Sequence, residues 1–137
     1  MIVRRIQDIK NTKQSVSAPG GQWVSNRLLL AGDGLGYSLH ETTIFAGTQT
    51  YIHYANHVES VYCVGGVGEI EDLESGLTHP ITNGTLYVLN GHERHWLRAT
   101  TADLRLICVF NPPIVGTEVH DEHGVYPLLK AELNSAY

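Results

Sequence analysis

Long apolar runs, basic clusters and a cysteine framework are all missing from this chain. No stretch approaches the roughly 18 residues that a membrane helix needs. The opening MIVRRIQDIK breaks its apolar residues with charge every few positions, which is not the pattern of a secretory leader. Cysteine occurs only at Cys63 and Cys108, both in apolar surroundings. A small secreted scaffold carries more, at framework spacings. These absences lead us to expect a cytoplasmic protein with reduced thiols, although sequence alone neither requires nor excludes a bridge between the two. Lys and Arg number 9 against 14 Asp and Glu, a formal charge of −5, and no basic run concentrates them. Nucleic acid and anionic membrane surfaces are poor partners for such a chain. Helical periodicity is nearly absent too. Only Pro127 to Asn134 reads as a short helix, with proline in its first turn.

What is present is strand. At 137 residues the chain is long enough for one domain that buries about two thirds of its unfolded surface. Apolar and β-branched runs cover Trp23 to Leu30, Tyr37 to Phe45, Thr48 to Tyr54, Glu59 to Val64 and Gly68 to Leu73. They continue over Leu77 to Ile81, Leu86 to Leu89, His95 to Ala99 and Leu104 to Phe110. Turn-type clusters separate them, among them Gly32-Asp33-Gly34, Gly65-Gly66, Thr82-Asn83-Gly84 and Asn90-Gly91. Short, evenly spaced strands predict an all-β sandwich or barrel. Asn111-Pro112-Pro113 ends the last strand, because proline cannot donate to a ladder. The expected division is a barrel over 1–113 and a tail over 114–137 that forms a lid on the barrel mouth. Gly116, Gly124 and Pro127 fit a flap able to close over a ligand.

Period-two alternation sorts side chains by face. Leu104, Leu106, Cys108 and Phe110 share one face, and Glu59 shares one with Val61 and Cys63. A carboxylate on an apolar face is costly unless paired or coordinated, which makes Glu59 the first candidate for chemistry. Around it lies His53-Tyr-Ala-Asn-His57-Val-Glu59, followed by Gly66. Further on, Pro80 and Gly84 lead to Tyr87, His92 and His95. Glu59, Tyr87 and His95 offer carboxylate, phenolate and imidazole, a donor set that suits Fe(II) or another octahedral metal. The plainer alternative is a surface glutamate, a strand tyrosine and an edge histidine. His120-Asp121-Glu122-His123 also looks like a metal cluster, but adjacent loop residues seldom all reach one ion. We read it as a solvated part of the lid.

The two-part His/Glu/Gly and Pro/Gly/His pattern resembles the paired motifs of the cupin superfamily, with two departures. His53 and His57 stand too far apart for the usual His-x-His, and Tyr87 replaces the second-motif histidine. At the level of whole segments the chain resembles the ectoine synthase family. WVSNRLLL, GYSLHETTIFAGT, NHVESVYCVGGVGEIE, HERHWLRA, LRLICVFNPP and GTEVHDEHGVYPLL carry the likeness, from Met1 to Leu129. It implies a cupin-type, jelly-roll-like barrel, commonly a homodimer. The implied enzyme is a hydro-lyase that closes N-γ-acetyl-L-2,4-diaminobutyrate into ectoine, a compatible solute made under osmotic stress. The resemblance implies Fe(2+) as cofactor, held by Glu59, Tyr87 and His95. It implies substrate contacts at Trp23, Arg27, His40, Thr42, Tyr54, Cys108, Phe110 and Glu118, with Tyr54, Glu118 and Arg27 as catalytic candidates. His53 and Tyr51 depart from the family pattern. Without the resemblance, Trp23 and Phe110 read as core, Cys108 as a small buried hydrophobe, and Arg27 as a surface charge. Competing functions are a metal cupin of dioxygenase type and a cupin that binds a small molecule without turnover.

Overall fold

The computed structural model describes residues 1–129. A single turn of helix, α1 (Ile6–Ile9), precedes eight strands. These are β1 (Ser15–Ser17), β2 (Trp23–Leu29), β3 (Ser38–Ile44), β4 (Gln49–Ile52), β5 (Val58–Asp72), β6 (Thr78–Thr82), β7 (Leu86–Leu89) and β8 (His95–Asn111). All pairings are antiparallel. The main path runs β1-β2-β3-β8-β5-β6, with β4 also on β8 and β7 also on β5. The fold is an all-β, cupin-type barrel. Among the described residues no helix is long and apolar enough to cross a membrane.

The strand runs read from sequence are present, but two pairs of them are single strands. Gly65-Gly66 looked like a turn between Glu59–Val64 and Gly68–Leu73, yet β5 passes straight through it. Residues 100–103 likewise lie inside β8. The two long strands pair along their length, and the register slips repeatedly between Cys63 and Gly68. Such bulges bend a strand so that one strand can serve both sides of a sandwich. Gly66 shows why glycine is needed there. Its φ is 99°, and a Cβ would sit 2.0 Å from the carbonyl oxygen of Asp103. The glycines mark a close crossing of backbones, which composition alone cannot tell from a hairpin. Helix α1 and strand β1 went unread because both are too short to show a period. The expected helix at Pro127 is not formed over 127–129, and the rest of it lies outside the described residues.

The core follows the predicted alternation. Leu104, Leu106, Cys108 and Phe110 on β8 are buried, and so are Glu59, Val61 and Cys63 on β5. Both cysteines are free thiols. After β8 the chain does not hang loose. Ile114 is buried, its N–H donates to Ser38 Oγ at 3.1 Å, and its carbonyl accepts from Ala31 N–H at 2.8 Å. From there, residues 114–126 form a strap across one end of the barrel. His53 N–H donates to Gly124 O at 2.7 Å, and Asn56 Nδ2 donates to Tyr126 O at 3.0 Å.

Candidate active site

Beneath the strap lies a cavity of about 30 Å³, room for only one or two waters. Its walls come from six strands, the loop after β4 and the strap. Register explains why the side chains meet: His40 on β3 pairs with Cys108 on β8, Thr42 with Leu106, and Glu59 on β5 with Phe110. Tyr87 on β7 pairs with Val61, so it shares the inner face with Glu59. Trp23, His40, Thr42, Tyr54, Glu59, Tyr87, Cys108 and Phe110 all line this cavity. The rings are packed tightly. His40 stacks on Phe110 at 5.1 Å, and Tyr54 meets Phe110 edge-on at 5.0 Å. Cys108 Sγ lies 3.7 Å from Thr42 Oγ1.

Of the three candidate ligands, Glu59 and His95 are buried and Tyr87 is half-buried. Burial pushes the Glu59 carboxyl up to about 8. A carboxyl so placed either stays neutral or needs a cation beside it. Burial, then the nearby Glu59 charge, raises the Tyr87 phenol well above its ordinary value. His95 is 1% exposed. Its Nδ1 lies 2.9 Å from the Glu93 carbonyl, so Nδ1 carries the proton. Its Nε2 is buried and has no partner among the described residues. A histidine held by a backbone carbonyl on one nitrogen, with a free lone pair on the other, is the arrangement of a metal ligand. Among the described residues, no three His, Cys, Asp or Glu side chains converge on a metal position. A metal here therefore needs the phenol, and this donor set of two oxygens and one imidazole nitrogen fits Fe(II).

Arg27 and Glu118 lie elsewhere. Neither is among the residues lining the cavity. Arg27 is fully buried, which corrects the surface reading. Its Nη1 donates to Gly116 O at 2.9 Å and its Nη2 to Glu118 O at 2.7 Å, and the guanidinium lies 5.7 Å from the Tyr126 ring centroid. The Glu118 carboxylate accepts from Val115 N–H at 2.8 Å and Gly116 N–H at 2.9 Å. Together they tie the start of the strap to β2.

The strap also supplies residues that sequence reasoning missed. His120 was read as solvated, but its ring stacks on Tyr126 at 4.4 Å and meets Trp23 edge-on at 5.5 Å. Its Nε2 lies 2.9 Å from the Tyr54 hydroxyl. Burial brings its pKa down to about 3, so the ring is neutral, and burial also raises the Tyr54 hydroxyl well above its ordinary value. Its neighbours in the cluster are different. Asp121 caps the turn at His123 and Val125, while Glu122 and His123 are exposed. Nothing periodic in the tail could have separated His120 and Tyr126 from them. His57 is buried against Phe110 and Tyr126 without entering the cavity lining. His92 reaches the Tyr54 carbonyl at 2.8 Å, which fixes the loop that presents Tyr54.

Comparison with known proteins adds an independent line. The family model described as ectoine synthase matches residues 1–130. L-ectoine synthase of Streptomyces anulatus is 54% identical over 132 residues, covering 96% of this chain and 99% of the relative. That of Sporosarcina pasteurii is 56% identical over 132 residues, covering 96% and 97%. The crystal structure of ectoine synthase from P. lautus superposes with a TM-score of 0.83 at 50% identity, covering 100% of this chain and 97% of that one. The polyketide cyclase RemF from Streptomyces resistomycificus shares the fold alone, with a TM-score of 0.68 at 18% identity over 90% of this chain and 89% of that one.

Proposed function

Since this chain belongs to the ectoine synthase family, a family of hydro-lyases, we propose that it closes N-γ-acetyl-L-2,4-diaminobutyrate into ectoine with loss of water. The observation that carries this reading is the buried His95 with its unpartnered Nε2, together with Glu59 and Tyr87 on the wall of a cavity closed by Trp23, Tyr54 and Phe110. Glu59, Tyr87 and His95 would hold one Fe(II), which would supply Lewis acidity to the substrate's amide carbonyl.

The rest falls to the chain's own side chains. Trp23 and Phe110 pack the methyl and methylene groups, folding the substrate so that amine and amide carbon meet. Thr42, His40 and Cys108 line the face beside them. The amine must lose its proton and the departing oxygen must gain protons. Tyr54, hydrogen-bonded to a neutral His120, is placed to move them. The strap excludes water from a reaction that releases it. A cavity of about 30 Å³ cannot hold the substrate, so binding opens the strap. Opening also frees the Arg27 fork for the substrate carboxylate, with Glu118 holding the strap's turn. The chain acts in the cytoplasm as a homodimer. The exposed apolar face of Tyr62, Val64, Leu86 and Val88 on β5 and β7 supports that assembly.

The test is direct. Anaerobic protein loaded with Fe(II) and given the acetylated diaminobutyrate should form ectoine, seen by proton NMR, and a chelator should stop it. Absence of product under these conditions contradicts the proposal.

A further inference from the structure

A second cavity, of about 160 Å³, lies on the other side of the proposed ligands. Tyr87 lines both cavities, Glu59 lines only the first, and His95 lines only the second. The ligand set thus sits at the partition. The second cavity is built where several elements end together. Asp72, the last residue of β5, pairs with His95, the first of β8. His79 on β6 pairs with Ile70 of β5, and Glu93 precedes β8 in the turn from β7. Asp72, His79 and Glu93 line the space, and no Lys or Arg does among the described residues.

Two polar atoms here are unspent. Glu93 Oε1 accepts from Gly91 N–H at 2.9 Å, but its Oε2 is buried with no partner among the described residues. The second atom is Nε2 of His95, on a ring 1% exposed that forms part of the cavity wall. Asp72 is held in place by Ser75 Oγ–H and the backbone of Glu74 and Ser75. The bond from Ser75 Oγ–H, with those from the backbone, outweighs burial and holds its carboxyl below the ordinary carboxylate range.

We propose that this cavity is the port through which a divalent cation reaches the site of Glu59, Tyr87 and His95, separate from the substrate's route under the strap. The proposal rests on the reading that those three residues hold a metal. The physical argument is the contrast between the two approaches. On the strap side an ion would meet only uncharged groups ahead of Glu59, the rings of Trp23, Tyr54, Phe110 and Tyr126 with Ser25, Thr42 and the neutral His40 and His120 among them. Nothing there offsets the charge as its hydration shell is shed. On the other side two carboxylates and an imidazole can replace hydration waters one at a time. They also raise the local cation concentration. The arrangement lets the ion load while the strap stays shut.

The experiment follows uptake of Co(II), a coloured stand-in, by metal-free protein in stopped flow, together with final metal content. The variant is Glu93→Gln with His79→Gln. Both positions are partly or fully exposed, and the glutamine can still accept from Gly91. The expected result is an association rate lowered about tenfold, with release lowered in parallel and final occupancy unchanged. The wild-type association rate should also fall with added salt more steeply than the variant's. An unchanged association rate in the variant overturns the port. So does faster release with unchanged association, since that would make the two residues ligands. If wild-type protein takes up no metal at all, the failure belongs to the metal site itself.

Discussion

The strap end of the barrel and the wall that carries Glu59, Tyr87 and His95 bury polar groups in opposite ways. At the strap, Arg27 spends its guanidinium on two carbonyls and a ring, and Glu118 spends its carboxylate on two backbone N–H groups. Ser38 accepts from Ile114 N–H. On the ligand wall, His95 Nε2 finds no partner among the described residues, and Glu59 is held near neutrality by burial. The first set is internally complete and stabilises one closed conformation. The second is left open at a cost in stability, because an unmade buried hydrogen bond costs about 1–3 kcal/mol. A buried polar residue is therefore not in itself the mark of a site; what sets His95 apart is an unpartnered nitrogen on a ring already held by a backbone carbonyl.

Substitutions should split the two sets by sign. The largest effect is expected at the ligand wall: Glu59→Leu and His95→Ala should lose bound metal and all measurable turnover. Yet metal-free Glu59→Leu should be more stable than metal-free wild type, by roughly 1–3 kcal/mol in urea denaturation. Arg27→Met should go the other way. It strands the Gly116 and Glu118 carbonyls, costs about 2–4 kcal/mol, and exposes 114–126 to limited proteolysis. If Arg27→Met and Glu59→Leu shift stability in the same direction, the contrast is broken.

A finer cut lies within the cavity. Tyr54→Phe removes the hydroxyl that reaches His120. It should cost about 1 kcal/mol in stability and lower kcat by roughly 10²-fold, the scale of a lost proton-transfer group, with metal content unchanged. The smallest effect concerns a surface latch that belongs to neither set. Arg4 donates to Asp33 at 2.7 Å and holds its carboxyl below the ordinary range. A carboxylate shifted down in this way adds stability above its unfolded pKa of about 4 and loses it as acid passes through the lower native value. Asp33→Asn should therefore cost at most about 1 kcal/mol at pH 7 and flatten the fall in stability between roughly pH 5 and 3, as read by thermal melts.

How much of this was legible in the sequence depends on whether a local pattern encodes it. Alternation along β8 gave the inward set Leu104, Leu106, Cys108 and Phe110, and alternation along β5 singled out Glu59. Those are properties of one strand, and period two reports them. The merging of strands across Gly65-Gly66 was hidden, because it depends on Asp103 lying against Gly66. The roles of Arg27 and His120 were hidden for the same reason. Their partners are at Gly116, Glu118 and Tyr54, distant in the chain, and the strap that joins them has no period to read. The second cavity was invisible as well, since it exists only where the ends of β5 and β8 meet the turn before β8.

The central claim is that an ion held by an acid, a phenol and an imidazole makes an inert amide react. The most direct measurement is metal per chain against ectoine formed, across samples loaded with increasing Fe(II) after chelation. The account predicts turnover that rises in proportion to iron and stops rising at one ion per chain. Full turnover in protein from which all metal has been stripped would contradict it.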